Sequence, residues 1–308
     1  PNQQGIDWFD FTDAFGAKEE HMCSADMIDF IRDNHLDLTM RVQSEDDDVA
    51  KDTQFDVRAA FGSHDDADHV YNTPRAWFML KKLNPRTYTW DGPGADYQPG
   101  DDDLPWCMCP EHKVTVDDVK YVLSAHFQGT PFDPYGRYGH AEDRGKYRPI
   151  GISRNNFLSL TQIRPNVPEA ISALQWIAMG SNVFNAFAPF YANVDTTPEY
   201  LSGTTGEVTT ENFYWVNRLI GALADAHWAM SNSHIERYQN KVINAGMKLI
   251  HETDAAIQKK KGKEICKALE KANEEMADIL KKETGDVLGK VLYEASCEMK
   301  NGFSRSDA

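Results

Sequence analysis

The sequence predicts an α+β chain. Two extended segments, Phe157 to Arg164 and Ser172 to Met179, lie close together around a short loop that holds Pro165 and Pro168. Beyond Thr209 the apolar residues change to helical spacing and keep it almost to the end of the chain. Strands grouped in the middle with helices grouped after them form the pattern of an α+β fold rather than of an alternating α/β fold.

The first third is mixed. Ile6 to Phe11 reads as a short extended segment. Ser24 to Asn34 reads as a helix that Ser24 can cap, with Met27, Ile28, Phe30 and Ile31 as its apolar stripe. Asp56 to Phe61 and Pro74 to Leu83 read as further helical pieces, the second with proline in its first turn. Residues 84–110 are loop-like, marked by Asn84-Pro85, Gly92-Pro93-Gly94 and Pro99-Gly100. Val114 to Leu123 is a short helix started by Thr115, with Asp117 and Asp118 in its first turn. Thr130 to Arg148 is rich in turns and aromatics, which marks either a functional loop or a packed surface loop.

In the first strand Leu158 and Leu160 alternate with Ser159 and Thr161, as a half-buried strand requires. Ala173 to Met179 is more uniformly apolar, so burial on both faces is expected. The two form an antiparallel hairpin of a central sheet. Glu211 to about Lys260 carries Phe213, Val216, Leu219, Ile220 and Leu223 at helical spacing. The capping box Ser233-His234-Ile235-Glu236 places a break near Asn232. Lys263 to Lys300 is a second long amphipathic helix, which Gly285 and Gly289 are expected to interrupt.

Among 308 residues 41% are hydrophobic and 26% charged, an ordinary globular profile, and the net charge is −16. Acid is concentrated at Glu45–Asp48, Asp65–Asp68 and Asp101–Asp103, which argues against nucleic acid or an anionic membrane as partner. No apolar run approaches the roughly 20 residues of a membrane helix, and no signal peptide is seen. The chain opens on Pro1-Asn2-Gln3-Gln4 without methionine, the expected start of a processed chain or a fragment. Cys23, Cys107, Cys109, Cys266 and Cys297 are irregularly spaced, and reduced thiols in a cytoplasm fit them best.

The search for chemistry excludes more than it finds. There is no G-x-S-x-G elbow, no H-E-x-x-H and no glycine-rich phosphate loop after a strand. His64, Asp65, Asp66, Asp68 and His69 are the one dense run of ligand-type residues, read as a solvated acidic loop ahead of a metal site. No metal and no cofactor is expected. Ala224-Asp225-Ala226-His227 puts acid and imidazole two apart on a helix, on different faces. Arg75, among Tyr71, Pro74 and Trp77 at the start of a helix, stands out more. It is placed either to orient a carboxylate or stabilise developing negative charge, or to pair with one of the abundant acids.

The stretches PFDPYG, YRPIGISRNNFLSLTQIR, VPEAISALQWIAMG, NVFNAFAPFYANV and FYWVNRL resemble the dipeptidase A family of bacterial cysteine peptidases. PNQQGIDWFDF, YNTPRAWF and IHETD follow in the same family order, so the likeness runs through nearly the whole chain. This family is placed among the N-terminal nucleophile hydrolases, with the secernins as distant relatives. The resemblance implies part of an αββα sandwich, with residues 1–208 as its C-terminal part and residues 209–308 as a helical extension packed on it. It implies hydrolysis of dipeptides by an N-terminal cysteine whose own α-amino group is the base. That cysteine is expected upstream, in a missing N-terminal part of the same protein, so the chain alone is expected to be inactive. By the same resemblance Asn2 is the oxyanion-hole amide and Arg75 the arginine near the nucleophile. A homo-oligomer is expected. The rival readings are an acylase or amidohydrolase of the same superfamily and a non-catalytic secernin-like interaction protein.

Overall fold

The computed structural model describes residues 9–10, 16–17, 22–36, 54–55, 61, 65–105, 108–258, 260–300 and 302. The chain gathers into two compact units. One is Pro1–Thr115 with Gly145–Arg148, and the other is Val116–Arg144 with Pro149–Ala308.

In the first unit, β1 (Phe9–Asp10) pairs antiparallel with β4 (Gln54–Phe55), and β2 (Gly16–Ala17) with β3 (Met22–Cys23). Helix α1 spans Met27–Asp33 and buries Ile28 and Ile31; no side-chain cap from Ser24 forms. Helix α2 (Asp68–Tyr71) runs almost directly into α3 (Thr73–Leu83), which has Pro74 in its first turn as expected. Trp77 of α3 is buried and donates its indole N–H to the Tyr97 carbonyl at 3.1 Å. Trp90 likewise donates to the Asn84 carbonyl at 2.8 Å, so aromatic rings pin the loop over residues 84–98.

The second unit opens with α4 (Val116–Leu123) and is built on a three-stranded antiparallel sheet. Its order is β5 (Phe157–Ile163), β6 (Ala173–Met179), β7 (Ala188–Tyr191), so the expected hairpin is the first two strands of that sheet. Register fixes its two faces. Leu158, Leu174, Trp176 and Ala178 are buried on one, while Phe157, Ser159, Thr161 and Ile163 are exposed on the other. The expectation that β6 is buried on both faces is therefore corrected: its burial alternates, because helices cover one face only.

The covering helices are α5 (Phe213–Ala226), α6 (Trp228–Ile257) and α7 (Lys263–Cys297). The side chain of Asn212 caps α5 by accepting from the Tyr214 and Trp215 N–H groups at 3.0 and 3.4 Å. The long helical tract breaks at His227, not near Asn232. His227 is the C-cap of α5 and the N-cap of α6, and the Ser233 capping box stays inside α6. Gly285 and Gly289 do not interrupt α7, which is continuous; nothing within 4 Å would meet a Cβ at either. Gly246 is different: α6 crosses Pro189 of β7 so closely that a Cβ there would lie 2.5 Å from the ring. The core runs through this unit from Trp176 and Phe187 to Phe213, Ile220, Val242, Met276 and Leu280.

Candidate functional site

In the first unit the chemistry gathers where α2 meets α3. Arg75 lies in the first turn of α3 and donates through Nη2 to the Asn72 side-chain oxygen, while Asn72 donates its amide N–H to the buried Asp68 carboxylate. Among the described residues the relay holds the Arg75 guanidinium without a direct ion pair. Arg148 enters from the Gly145–Arg148 segment, whose backbone N–H donates to the Val70 carbonyl at 3.0 Å. Its guanidinium lies over the Tyr71 ring at 5.8 Å, and its Nε is buried without a hydrogen-bond partner. Burial, reinforced by the neighbouring Arg148 charge, lowers the Arg75 pKa below the ordinary arginine value. Of the two readings of Arg75, pairing with an acid is not what the described residues show.

The described residues of the acidic run form no group of three that could hold a metal ion. His69 turns to Asp102, 2.9 Å away, Asp65 accepts from the Ala67 N–H, and Asp68 is taken up by Asn72. Asn2 and His64 lie outside the described residues.

In the second unit two clusters surround α4 and the PFDPYG loop. His126 Nδ1 and Asp133 Oδ1 are 2.8 Å apart with both side chains nearly buried, and the same oxygen accepts the Tyr135 N–H at 2.9 Å. Tyr135 stacks on Trp228 with centroids 4.2 Å apart and donates its hydroxyl to Asp225. Burial first, and Asp225 second, push the Tyr135 pKa far up, so this phenol stays protonated. Asp225 is thus a loop anchor and His227 a helix break, which is why the pair has no joint chemistry.

Lys120 is the other cluster. Its ammonium donates to Ser124 Oγ at 2.6 Å, the Asn182 carbonyl at 2.6 Å and Asn185 Oδ1 at 2.9 Å. All three acceptors are neutral, and burial pulls its pKa down to about 7. At the surface Asp195, Cys266 and Glu270 bring ligand-type atoms within 4.8 Å of one another, but Glu270 already accepts from the Asp195 N–H and the Thr196 hydroxyl. Among the described residues no helix is long and apolar enough to cross a membrane.

Arg148, Lys120 and the His126–Asp133 pair were not singled out from the sequence. The pair had a signal, an imidazole and a carboxylate bracketing the Gly129–Pro131 turn, whereas Arg148 and Arg75 are far apart in the chain and are linked through α2, whose Val70 carbonyl accepts the Arg148 N–H.

Fold and site together define an α+β protein whose antiparallel sheet is helix-covered on one face, with two guanidiniums that have no carboxylate partner among the described residues. The chain belongs to Peptidase family C69, whose profile matches residues 1–241. It is 47% identical to a protein named dipeptidase from Bifidobacterium longum, over 100% of this chain and 63% of that protein. It is 43% identical to a probable dipeptidase A from Streptococcus pyogenes, over 100% of this chain and 60% of that protein. It is 34% identical to dipeptidase A from Lactobacillus helveticus, over 96% of this chain and 57% of that protein. The chain thus spans about three fifths of the length of the curated relatives it matches.

Proposed function

We propose that the whole protein to which this chain belongs hydrolyses dipeptides with a cysteine nucleophile. The observation that carries this is membership of Peptidase family C69 together with full-chain relatives that are named dipeptidases. In this reading the attacking thiol belongs to the part of the relatives' length that the chain does not span. Its sulfur adds to the scissile carbonyl, the amine of the leaving residue departs with a proton, and water then releases the acyl group from the thioester. An α-amino group adjacent to the thiol serves as base. Asn2 donates its side-chain N–H to the developing oxyanion, and Arg75 supplies positive charge beside the reacting centre.

The helix-covered sheet is what one α–β layer pair of an αββα sandwich looks like. Its uncovered face carries Phe157 and Ile163, 56% and 65% exposed, apolar side chains that a second sheet would bury. The N-terminal part of the protein is proposed to supply that sheet, residues 1–208 to form the C-terminal part of the sandwich, and residues 209–308 to be the helical portion packed on it. Exposed Leu292 and Tyr293 on α7 support a contact between copies in a homo-oligomer. A cytoplasmic setting suits free Cys109, Cys266 and Cys297.

The test is an assay of the complete protein against dipeptides and N-acyl amides, with and without replacement of its N-terminal cysteine by alanine. Dipeptide cleavage that vanishes in the variant is the expected result. Preference for acyl amides, or activity that survives the replacement, would sink the proposal.

A further inference from the structure

We infer that Arg75 and Arg148 together form the anchor for the free C-terminal carboxylate of the substrate. The inference rests on the dipeptide reading above and names the part of the substrate that this site holds.

The chain has 48 acidic side chains and 32 basic ones, so an arginine has acids in excess to pair with. Among the described residues, neither Arg75 nor Arg148 has a carboxylate partner. The two arginines are held by neighbouring residues, Arg75 by Asn72 and Arg148 by Val70 and Tyr71, and like charges this near repel each other, the more so when partly buried. The fold nevertheless holds both in place by separate devices. Asn72 fixes Arg75 from within the helix junction, and the Val70 carbonyl and the Tyr71 ring fix Arg148 from the other side. Arg148 Nε is buried and unbonded among the described residues, a donor whose desolvation none of them offsets. An incoming carboxylate would relieve both costs, since its two oxygens match the guanidinium fork. Both arginines are half-buried and Tyr71 is 49% exposed, so the site opens to ligand.

A dipeptide places its carboxylate one residue beyond the scissile bond. An anchor that demands this group accepts dipeptides and rejects longer peptides, whose corresponding carbonyl is an uncharged amide. Asp68 sits at the far end of the Asn72 relay, joined to Arg75 through that amide.

The experiment compares alanyl-alanine with alanyl-alaninamide as substrates of the complete protein, for wild type, Arg148→Gln and Arg148→Lys. Wild type is expected to prefer the free acid. Arg148→Gln should lower kcat/KM for the free acid by about 10- to 100-fold, chiefly through KM. Cleavage of the amide should change by less than about twofold, and Arg148→Lys should recover part of the loss. Equal loss on both substrates, or no change on either, overturns the anchor. If Arg148→Gln does not fold, Arg148→Lys is compared by the same free-acid to amide ratio, which an anchor moves and a scaffold residue does not. If wild type cleaves neither substrate, the dipeptidase reading has failed by itself. Calorimetric titration with alanyl-alanine then decides the anchor, which stands if Arg148→Gln weakens binding by about tenfold or more and falls if binding is absent or unaffected.

Discussion

Asn273 of α7 closes both outward backbone groups of Tyr191 at the end of β7. Its side-chain oxygen accepts the Tyr191 N–H at 2.8 Å, and its amide donates to the Tyr191 carbonyl at 3.0 Å. A helix side chain thus takes the place of a neighbouring strand at this point of the sheet edge. Asn273 is buried, so Asn273→Ala leaves two backbone groups unsatisfied and should destabilise the protein by roughly 2–4 kcal/mol. Denaturant unfolding measures this; a loss below about 0.5 kcal/mol would show that water replaces the amide.

Glycine to alanine should have opposite signs at two places in the helices. At Gly285 or Gly289 a Cβ meets nothing within 4 Å, so alanine should stabilise by about 0.5–1 kcal/mol through helix propensity alone. At Gly246 the Cβ would stand 2.5 Å from Pro189, and overpacking of about 1–3 kcal/mol should exceed that gain. Thermal unfolding of the single variants reads the two signs directly.

Lys120 predicts a pH dependence of stability. Its pKa is about 7 in the folded chain and 10.5 when unperturbed. Between these values the unfolded chain binds more protons than the folded one. The lysine's contribution to stability therefore rises with pH through that window, by up to about 1.4 kcal/mol per unit. Below the folded value both states are protonated and the burial penalty is fully present. The stability difference between wild type and Lys120→Met should slope upward from neutral to alkaline pH, and a flat difference would show the ammonium to be solvated.

The PFDPYG loop is held by Asp133, which receives both the His126 ring and the Tyr135 N–H. Asp133→Ala should cost about 1.5–3 kcal/mol and loosen the Tyr135–Trp228 stack. Asp133→Asn should cost less, because its carbonyl oxygen still accepts. The near-ultraviolet circular dichroism of Trp228 and Tyr135 follows this; an unchanged signal in the alanine variant would refute it.

On the proposed mechanism, Asn2→Ala in the complete protein should lower kcat by about 10²–10³-fold with little effect on KM, as loss of an oxyanion donor does. Arg75→Ala should lower kcat/KM for dipeptides. Unchanged dipeptide hydrolysis in either variant removes that residue from the mechanism.

Much of the fold was legible in local pattern. The alternation of Leu158 and Leu160 with Ser159 and Thr161 marks a half-buried strand, and β5 is one. The helical spacing after Thr209 found α5, α6 and α7, because a 3.6-residue period survives in any context that buries one stripe. Local pattern misplaced the break at His227 because Ser233 reads as a cap wherever it stands, while the cap is decided by where the chain turns. It misjudged Gly285 and Gly289 because glycine interrupts a helix only when packing does not hold it.

Of the candidate site, the sequence by itself determined Arg75, since a single arginine among aromatic and apolar residues at a helix start is a local signal. It also determined the acidic balance and the family likeness that the profile match bears out. Only the tertiary structure decided that Arg75 feels the charge of Arg148 and, among the described residues, pairs with no acid, that Lys120 is caged by neutral acceptors, and that Asn273 closes the edge of β7. The physical reason is range. Propensity, periodicity and capping act within a few residues, whereas charge, burial and hydrogen-bond satisfaction depend on partners that folding alone brings together.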